Sequence, residues 1–186
     1  FDYLKKSDIP SVLEDSKKSL SRCVCTLRPK SEGGLFIGKE DERKSILRLI
    51  AEYNPFLLDV EFNTIQKDKK LAAYLKKTKC KLLISWHDFK KTPNESQLKS
   101  RFNKMKKFSN VVKIVTVAKT VSDASRLLSL YSIKSKNKTV AFCMGDQGKF
   151  SRILCLHLGS PFTYVSLGKA IAPGQFSVDE IKSLEN

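Results

Sequence analysis

The sequence contains few histidines, no metal-binding spacing and no long apolar run. Its two histidines and five cysteines form no Cys-x-x-Cys pair and no mixed Cys/His pattern, which argues against a zinc site. No stretch of 18 apolar residues is present, so no membrane-spanning helix is predicted. No Gly-x-Gly-x-x-Gly follows a predicted strand, which argues against a dinucleotide-binding sheet. An odd number of cysteines and the lack of a signal-peptide pattern favour a reducing, cytoplasmic compartment.

Acidic residues are scarce relative to basic ones. The 186 residues include 35 Lys and Arg against 19 Asp and Glu, giving a formal net charge of +16. This charge suits nucleic acid, but no RNP-like, zinc-finger or helix-turn-helix pattern accompanies it, and the lysines are spread over polar helix faces. A positive field also suits a small anionic substrate. We therefore predict no nucleic-acid partner and no membrane partner.

Apolar runs and amphipathic stretches alternate along the chain. Strands are predicted over residues 22–28, 56–62, 111–118, 138–145 and 162–167, with a further strand that starts near residue 80 and contains the apolar run 82–84, and one of the intervening helices is predicted over 64–77. Such alternation indicates a parallel sheet with right-handed crossovers, in one domain spanning residues 1–186. Two architectures fit: an open doubly wound sheet, or a (β/α)₈ barrel that lacks about its first two strands. Periodicity does not choose between them.

The stretch from Lys81 to Pro93, KLLISWHDFKKTP, places a histidine at the carboxyl end of a predicted strand. His87 follows the apolar run and precedes a predicted helix start, with Thr92 as N-cap and Glu95 closing a capping box. In α/β folds this edge of the sheet carries ligands and catalysis. The alternative is a histidine that only satisfies a loop carbonyl.

A lysine lies within the most apolar predicted strand. Lys113 is flanked by Val112 and Ile114. Burial disfavours the ammonium form and lowers a lysine pKa, and a neutral amine can form a Schiff base with a ketone. His87 ends the preceding strand, so both side chains can share one pocket in a parallel sheet. The alternative is a lysine at the strand mouth whose ammonium group reaches solvent.

Two arginines add fixed positive charge to the predicted strand ends. Arg28 ends the first predicted strand, and Arg152 lies in the first turn of a helix after a glycine-containing loop. A guanidinium group in such a position favours an anion. Either arginine could instead pair with a surface carboxylate, which is the commoner fate.

Seven segments resemble, in order, the signatures of type I 3-dehydroquinate dehydratase. They are CTLRPKSEGG (25–34), LDVEF (58–62), SWHDFKKTP (85–93), VVKIVTVA (111–118), MGDQGKFSRI (144–153), GSPFTYVS (159–166) and APGQ (172–175). The resemblance implies a (β/α)₈ TIM barrel. It also implies dehydration of 3-dehydroquinate to 3-dehydroshikimate in the shikimate pathway, which leads to chorismate and the aromatic amino acids, with no metal and no organic cofactor.

The resemblance also assigns roles to individual residues. Lys113 matches the Schiff-base lysine and His87 the general acid/base, while Arg152 matches the arginine that binds the substrate carboxylate. Arg28 and Gln175 match contacts to substrate hydroxyls and the pocket. Glu32 matches a glutamate near the same pocket, and a homodimer is one option for the oligomeric state.

Two departures and two alternatives accompany this resemblance. The family's Glu-x-Arg pair would precede the aspartate that matches Asp2, so it is expected outside this chain, together with about two strands. Ile171 and Ala172 stand where the family often has a serine, which puts one substrate hydrogen bond in doubt. Another class I aldolase-like Schiff-base lyase would share Lys113 but not the His87 stretch. A basic, non-catalytic binding module is the alternative from a different class.

Overall fold

A computed structural model describes residues 1–168 and 170–184, in which parallel strands alternate with helices. The strands are β1 (Val24–Thr26), β2 (Leu57–Glu61), β3 (Leu82–Asp88), β4 (Val111–Val117) and β5 (Lys138–Met144). The helices are α1 (Ile9–Asp15), α2 (Glu40–Glu52), α3 (Phe62–Lys67), α4 (Lys69–Lys77), α5 (Glu95–Met105), α6 (Val121–Leu128), α7 (Ser151–His157) and α8 (Val178–Leu184). Within the described ranges no helix is long and apolar enough to cross a membrane. The predicted α/β class is confirmed.

The chain divides into two compact units, and the first comprises residues 1–86 and 108–110. Its strands pair in parallel, β1 with β2 and β2 with β3. Every residue of β2 is buried, as expected of a strand covered on both faces. Two of those buried residues are the carboxylates Asp59 and Glu61, which require partners inside the unit.

The second unit comprises residues 87–107 and 111–186. Strands β4 and β5 pair in parallel over their full lengths, from Val111 opposite Lys138 to Val117 opposite Met144. Helices α6 and α7 pack against β5. The core between these elements contains Val115, Leu128, Val140, Phe142, Met144 and Cys155. This frame positions Lys113 on β4 and Arg152 on α7.

Two predicted helix features are wrong in detail. The predicted 64–77 helix is two helices, because Asp68 has an extended backbone and its side chain accepts a hydrogen bond from Leu71 N. Helix α5 is capped by Asn94, whose side chain accepts from Gln97 N, and not by Thr92. Thr92 is buried instead, with its hydroxyl 3.0 Å from Val117 O and 2.7 Å from Thr116 Oγ1. It therefore ties the loop after His87 to the carboxyl end of β4.

The predicted strand over residues 162–167 does not form as a ladder strand. Its only described pairing is an isolated parallel bridge between Ser166 and Ser177, in which Ser166 N donates to Phe176 O and Val178 N donates to Ser166 O. The aromatic residues that suggested a strand, Phe162 and Tyr164, pack against the core of the second unit. Their burial comes from side-chain packing without a continuous backbone ladder.

Candidate active site

Lys113 is a buried cation on the central part of β4. Its side chain is only 7% exposed, and the flanking Val112 and Ile114 are fully buried. The Nζ atom lies 4.3 Å from the centroid of the Tyr164 ring. This burial argues against the alternative of a lysine whose ammonium group reaches solvent. Lys113 occupies the apolar setting that a Schiff-base amine requires.

Arg152 is a second buried cation in the same unit. It is 2% exposed, its Cζ lies 4.5 Å from the centroid of the Phe142 ring, and Nη2 donates to Pro173 O at 3.3 Å. Among the residues that the structure describes, no carboxylate forms an ion pair with Arg152, and its Nε lacks a hydrogen-bond partner. Burial lowers the pKa of Arg152 to about 10, so the group stays charged at neutral pH. The alternative of a surface ion pair is wrong, and the guanidinium can receive an anion.

The APGQ loop packs beside Arg152 at the end of β5. Pro173 O accepts from both Arg152 and Gly145 N, the latter at 3.3 Å. Gly174 has φ +69°, and a side chain there would come within 2.8 Å of Gly145 O, so glycine is needed for this close approach. Gln175 is buried, and its Oε1 accepts from Ile171 N at 3.1 Å. Arg152 and Gln175 are thus both hydrogen-bonded to the segment from Ile171 to Gln175.

His87 lies at the carboxyl end of β3, as predicted. It is half-buried, and its ring stacks on Phe89 with centroids 6.0 Å apart and planes at 18°. Asp88 accepts from the backbone N–H groups of Lys90 and Lys91, which closes the turn that follows. Thr92 then ties this turn to the end of β4, the strand that carries Lys113. The loop that follows β3 is therefore anchored to the strand that carries Lys113.

In the first unit, Arg28 is bound by the carboxylates of β2. Its Nη2 lies 2.6 Å from Asp59 Oδ2, and its Nη1 lies 3.5 Å from Glu61 Oε1 and 3.2 Å from Ser85 Oγ. Burial acts to lower the pKa of Arg28, but Asp59 and Glu61 outweigh it and raise the pKa overall. The guanidinium is a permanent, oriented cation.

A second arginine, which sequence reasoning missed, completes this network from helix α2. Arg43 is fully buried, donates to Glu61 Oε2 at 2.8 Å and Leu27 O at 2.9 Å, and pairs with Glu40 at 2.7 Å. Glu61 therefore lies between Arg28 and Arg43. The signal that could have revealed the network is the alternation of two carboxylates, Asp59 and Glu61, inside an apolar strand.

Glu32 is a buried carboxyl in the same unit. It is 5% exposed, lies in a short 3₁₀ turn, Lys30–Glu32, and accepts from Asn63 Nδ2 at 3.0 Å. Burial, with a further contribution from the negative charge of Glu61, raises the pKa of Glu32 to about 7, although Arg28 opposes the shift. Near neutral pH the carboxyl can therefore take up or release a proton.

The raised pKa of Glu32 predicts how the free energy of unfolding depends on pH. Because its pKa is raised from 4.5 in the unfolded chain to about 7 in the folded one, its neutral form favours folding fully below pH 4.5, and this contribution is lost as pH rises through 7. We expect Glu32→Gln to make the free energy of unfolding in urea fall less between pH 5 and pH 8 than in the unmodified protein. The exposed carboxylate variant Glu52→Gln is the control. Equal pH slopes in the unmodified protein and Glu32→Gln would contradict the assignment.

Other chemistry-bearing clusters are limited in the part of the chain that the structure describes. Across residues 1–168 and 170–184, no group of three or more His, Cys, Asp or Glu side chains is arranged to hold a metal ion. The five cysteines are free thiols.

The model of the type I 3-dehydroquinase family matches residues 1–185. The chain belongs to the type I 3-dehydroquinase family. This confirms the resemblance seen in the seven sequence segments: the family is that of the 3-dehydroquinate dehydratases, which are hydro-lyases of the shikimate pathway. The family has a TIM-barrel-like α/β fold, as predicted.

Curated relatives support this family assignment. The chain is 40% identical over 182 residues to 3-dehydroquinate dehydratase from Pyrobaculum aerophilum, covering 96% of this chain and 58% of that protein. It is 31% identical over 195 residues to the enzyme of the same name from Methanocaldococcus jannaschii, covering 98% of this chain and 88% of that protein. The chain therefore spans little more than half of the Pyrobaculum relative and most of the Methanocaldococcus one.

Solved type I 3-dehydroquinase structures share the fold. The enzyme from Clostridium difficile superposes with a TM-score of 0.83 at 24% identity, covering 97% of this chain and 74% of that one. The dehydroquinate dehydratase and shikimate dehydrogenase from S. pombe AroM gives a TM-score of 0.76 at 28% identity, covering 100% of this chain and 38% of that one. The fold expectation from the sequence is thereby confirmed.

Proposed function

We propose that this chain converts 3-dehydroquinate to 3-dehydroshikimate and water through a Schiff base on Lys113. The observation that supports this most directly is the burial of Lys113 on β4 between two fully buried apolar residues. Burial disfavours the charged ammonium form of the lysine, and the neutral amine is the form that can attack the substrate ketone. A C–N bond forms as the C–O bond breaks: one proton from the amine and one from solvent convert the carbonyl oxygen to water, and the nitrogen becomes a cationic iminium.

The iminium makes the next step possible. It withdraws electrons from the adjacent carbon, so the C–H bond there becomes acidic and an enamine can form. We assign His87 as the base that removes this proton and as the acid that returns one to the departing hydroxyl. The C–O bond then breaks, water leaves, and hydrolysis of the iminium releases the conjugated enone and free Lys113. No net oxidation or reduction occurs.

We assign substrate binding to the arginines and the APGQ loop. Arg152 is charged, buried and without an ion-pair partner among the described residues, so we assign it the substrate carboxylate. Gln175, on the loop that contacts Arg152, is assigned to the pocket. Arg28 is assigned to a substrate hydroxyl, and Glu32 to the surroundings of that contact. The lack of a nucleic-acid partner, the homodimer and the cytoplasmic location stay predictions.

Substitutions of His87 and Arg152 should impair catalysis in different ways. His87→Ala should lower kcat by roughly 10²-fold or more, because the proton-transfer group is lost. Arg152→Ala should mainly raise KM if the carboxylate is bound equally in the ground and transition states. Both are measured by following the absorbance of the enone product with purified protein.

Two matched variants serve as controls for this pair. The chain's other histidine, His157, is exposed on α7, so His157→Ala should keep normal kcat. Arg152→Lys should recover part of the KM loss, since the charge remains but the bidentate geometry does not. A loss of kcat alone in both His87→Ala and Arg152→Ala would contradict these roles. Formation of a Schiff base without any enone product would instead favour an aldolase-like lyase.

A further inference from the structure

The two buried cations of the second unit both lie over aromatic rings. Lys113 Nζ is 4.3 Å from the Tyr164 ring centroid, and Arg152 Cζ is 4.5 Å from that of Phe142. The two rings are neighbours, with centroids 6.0 Å apart, and Phe162 meets Tyr164 edge-on at 5.6 Å. We call Phe142, Phe162 and Tyr164 the aromatic cluster. Two rings of the cluster, Tyr164 and Phe142, therefore each contact one of the two cations.

Tyr164 lies in the segment 162–167 that does not form a ladder strand. The segment is fixed by Ser160, whose hydroxyl donates to Phe162 O at 2.8 Å, and by the bridge between Ser166 and Ser177. Tyr164 itself is partly buried and packs on the core of the second unit. The backbone is thus fixed before and after Tyr164, although this residue lies outside the sheet.

An aromatic face stabilises a cation in a way that a carboxylate does not. The ring quadrupole attracts positive charge but carries no net charge and takes up no proton. A carboxylate beside Lys113 would repel the substrate's own carboxylate and could itself be protonated. A ring lets the site keep its positive charge for the substrate.

The nitrogen of Lys113 changes charge during the proposed reaction. It is cationic as the ammonium, neutral as the attacking amine, and cationic again as the iminium. A ring face 4.3 Å from this atom therefore favours the first and third forms over the second. The same contact should stabilise the covalent intermediate relative to the free amine.

We propose that Tyr164 is a positioning residue for Lys113, whose ring face orients the lysine nitrogen and stabilises the cationic iminium. This inference rests on the proposed function, because it requires the Schiff base to form. It adds a residue of the GSPFTYVS segment to the machinery of that reaction and assigns the ring, rather than the hydroxyl, as the acting group.

The proposal predicts a pH signature that a purely structural role would not produce. At low pH the free lysine is an ammonium. Its reaction with the ketone gives an iminium and water, so one cation lies over the ring both before and after the reaction. At high pH the free lysine is neutral, and only the iminium gains from the ring. Removing the ring should therefore weaken the adduct selectively at high pH.

The test compares Tyr164→Leu, Tyr164→Phe and the unmodified protein. Each is incubated with 3-dehydroquinate to reaction equilibrium and quenched with borohydride. The adduct fraction, read from intact mass over a range of total ligand, gives an apparent dissociation constant at pH 6 and at pH 9.5. For Tyr164→Leu we expect this constant to rise roughly three- to tenfold at pH 9.5 and to change much less at pH 6. Tyr164→Phe should match the unmodified protein at both values.

Phe162→Leu is the control for lost aromatic packing, because the Phe162 ring meets the Tyr164 ring edge-on at 5.6 Å. It should show no pH-selective change. Equal weakening at both pH values in Tyr164→Leu, or a Tyr164→Phe that behaves like Tyr164→Leu, would overturn the proposal. If the unmodified protein forms no adduct on Lys113, the proposed function itself fails, which is a distinct result.

Discussion

Lys113→Ala is expected to lose turnover of 3-dehydroquinate by on the order of 10³-fold or more, because no other group on β4 can form the covalent intermediate. Lys113 is the one charged residue of β4 and is only 7% exposed. Enone absorbance measured with matched concentrations of purified variant and unmodified protein checks this expectation.

Two further variants separate lost chemistry from lost folding. Lys113→Met keeps most of the side-chain volume in the apolar strand and should fold normally while being equally inactive. Lys119→Ala removes an exposed lysine just beyond the same strand and should keep full activity. Turnover by Lys113→Ala or Lys113→Met above a few per cent of normal would mean that Lys113 is not the nucleophile.

Arg43→Met is expected to destabilise the first unit by about 3–5 kcal/mol, the usual cost of removing one partner from a buried ion pair. Arg43 is fully buried and donates to both Glu61 and Glu40. Without it, the ion pair that remains to Glu61 among the described residues is the longer, 3.5 Å contact with Arg28. Burial already raises the pKa of Glu61 against the opposing pull of Arg43 and Arg28, so the carboxylate would be left poorly compensated. Urea unfolding measures the change.

The double variant Arg43→Met with Glu61→Gln sharpens this test. If the cost arises from an uncompensated carboxylate, neutralising Glu61 should recover part of the lost stability, and the two effects should not add. Arg48→Met, on the same helix but partly exposed over the Tyr74 ring, should cost no more than about 1 kcal/mol. An Arg43→Met variant as stable as Arg48→Met would show that the network does not hold β2 in place.

Apolar runs allowed the strands and the buried lysine to be predicted from the sequence. The stretches around Val60, Ile84 and Ile114 are rich in apolar residues, which favours strands covered on both faces, and Lys113 could be placed in such a strand by position alone. His87 followed from the end of the same kind of run. These predictions depend on the local order of apolar and polar residues, which can be seen in a single sequence.

Features that depend on distant partners could not be predicted. Arg43 lies among polar residues of α2, and only the folded unit shows that it turns inward toward Glu61. Thr92 resembles an N-cap beside Pro93, yet its hydroxyl bonds Val117 O in another strand. Tyr164 lies in a segment predicted as a strand, but the described backbone pairing of that segment is an isolated bridge at Ser166 and not a ladder. In each case a tertiary contact decides between two locally acceptable states.

The central claim, a Schiff base on Lys113, is tested most directly by borohydride trapping with 3-dehydroquinate followed by peptide mapping. The predicted result is one reduced adduct per chain, located on the peptide that carries Lys113 and absent from Lys113→Ala. An adduct on any other lysine, or full dehydration of the substrate with no trapped adduct at all, would contradict the claim.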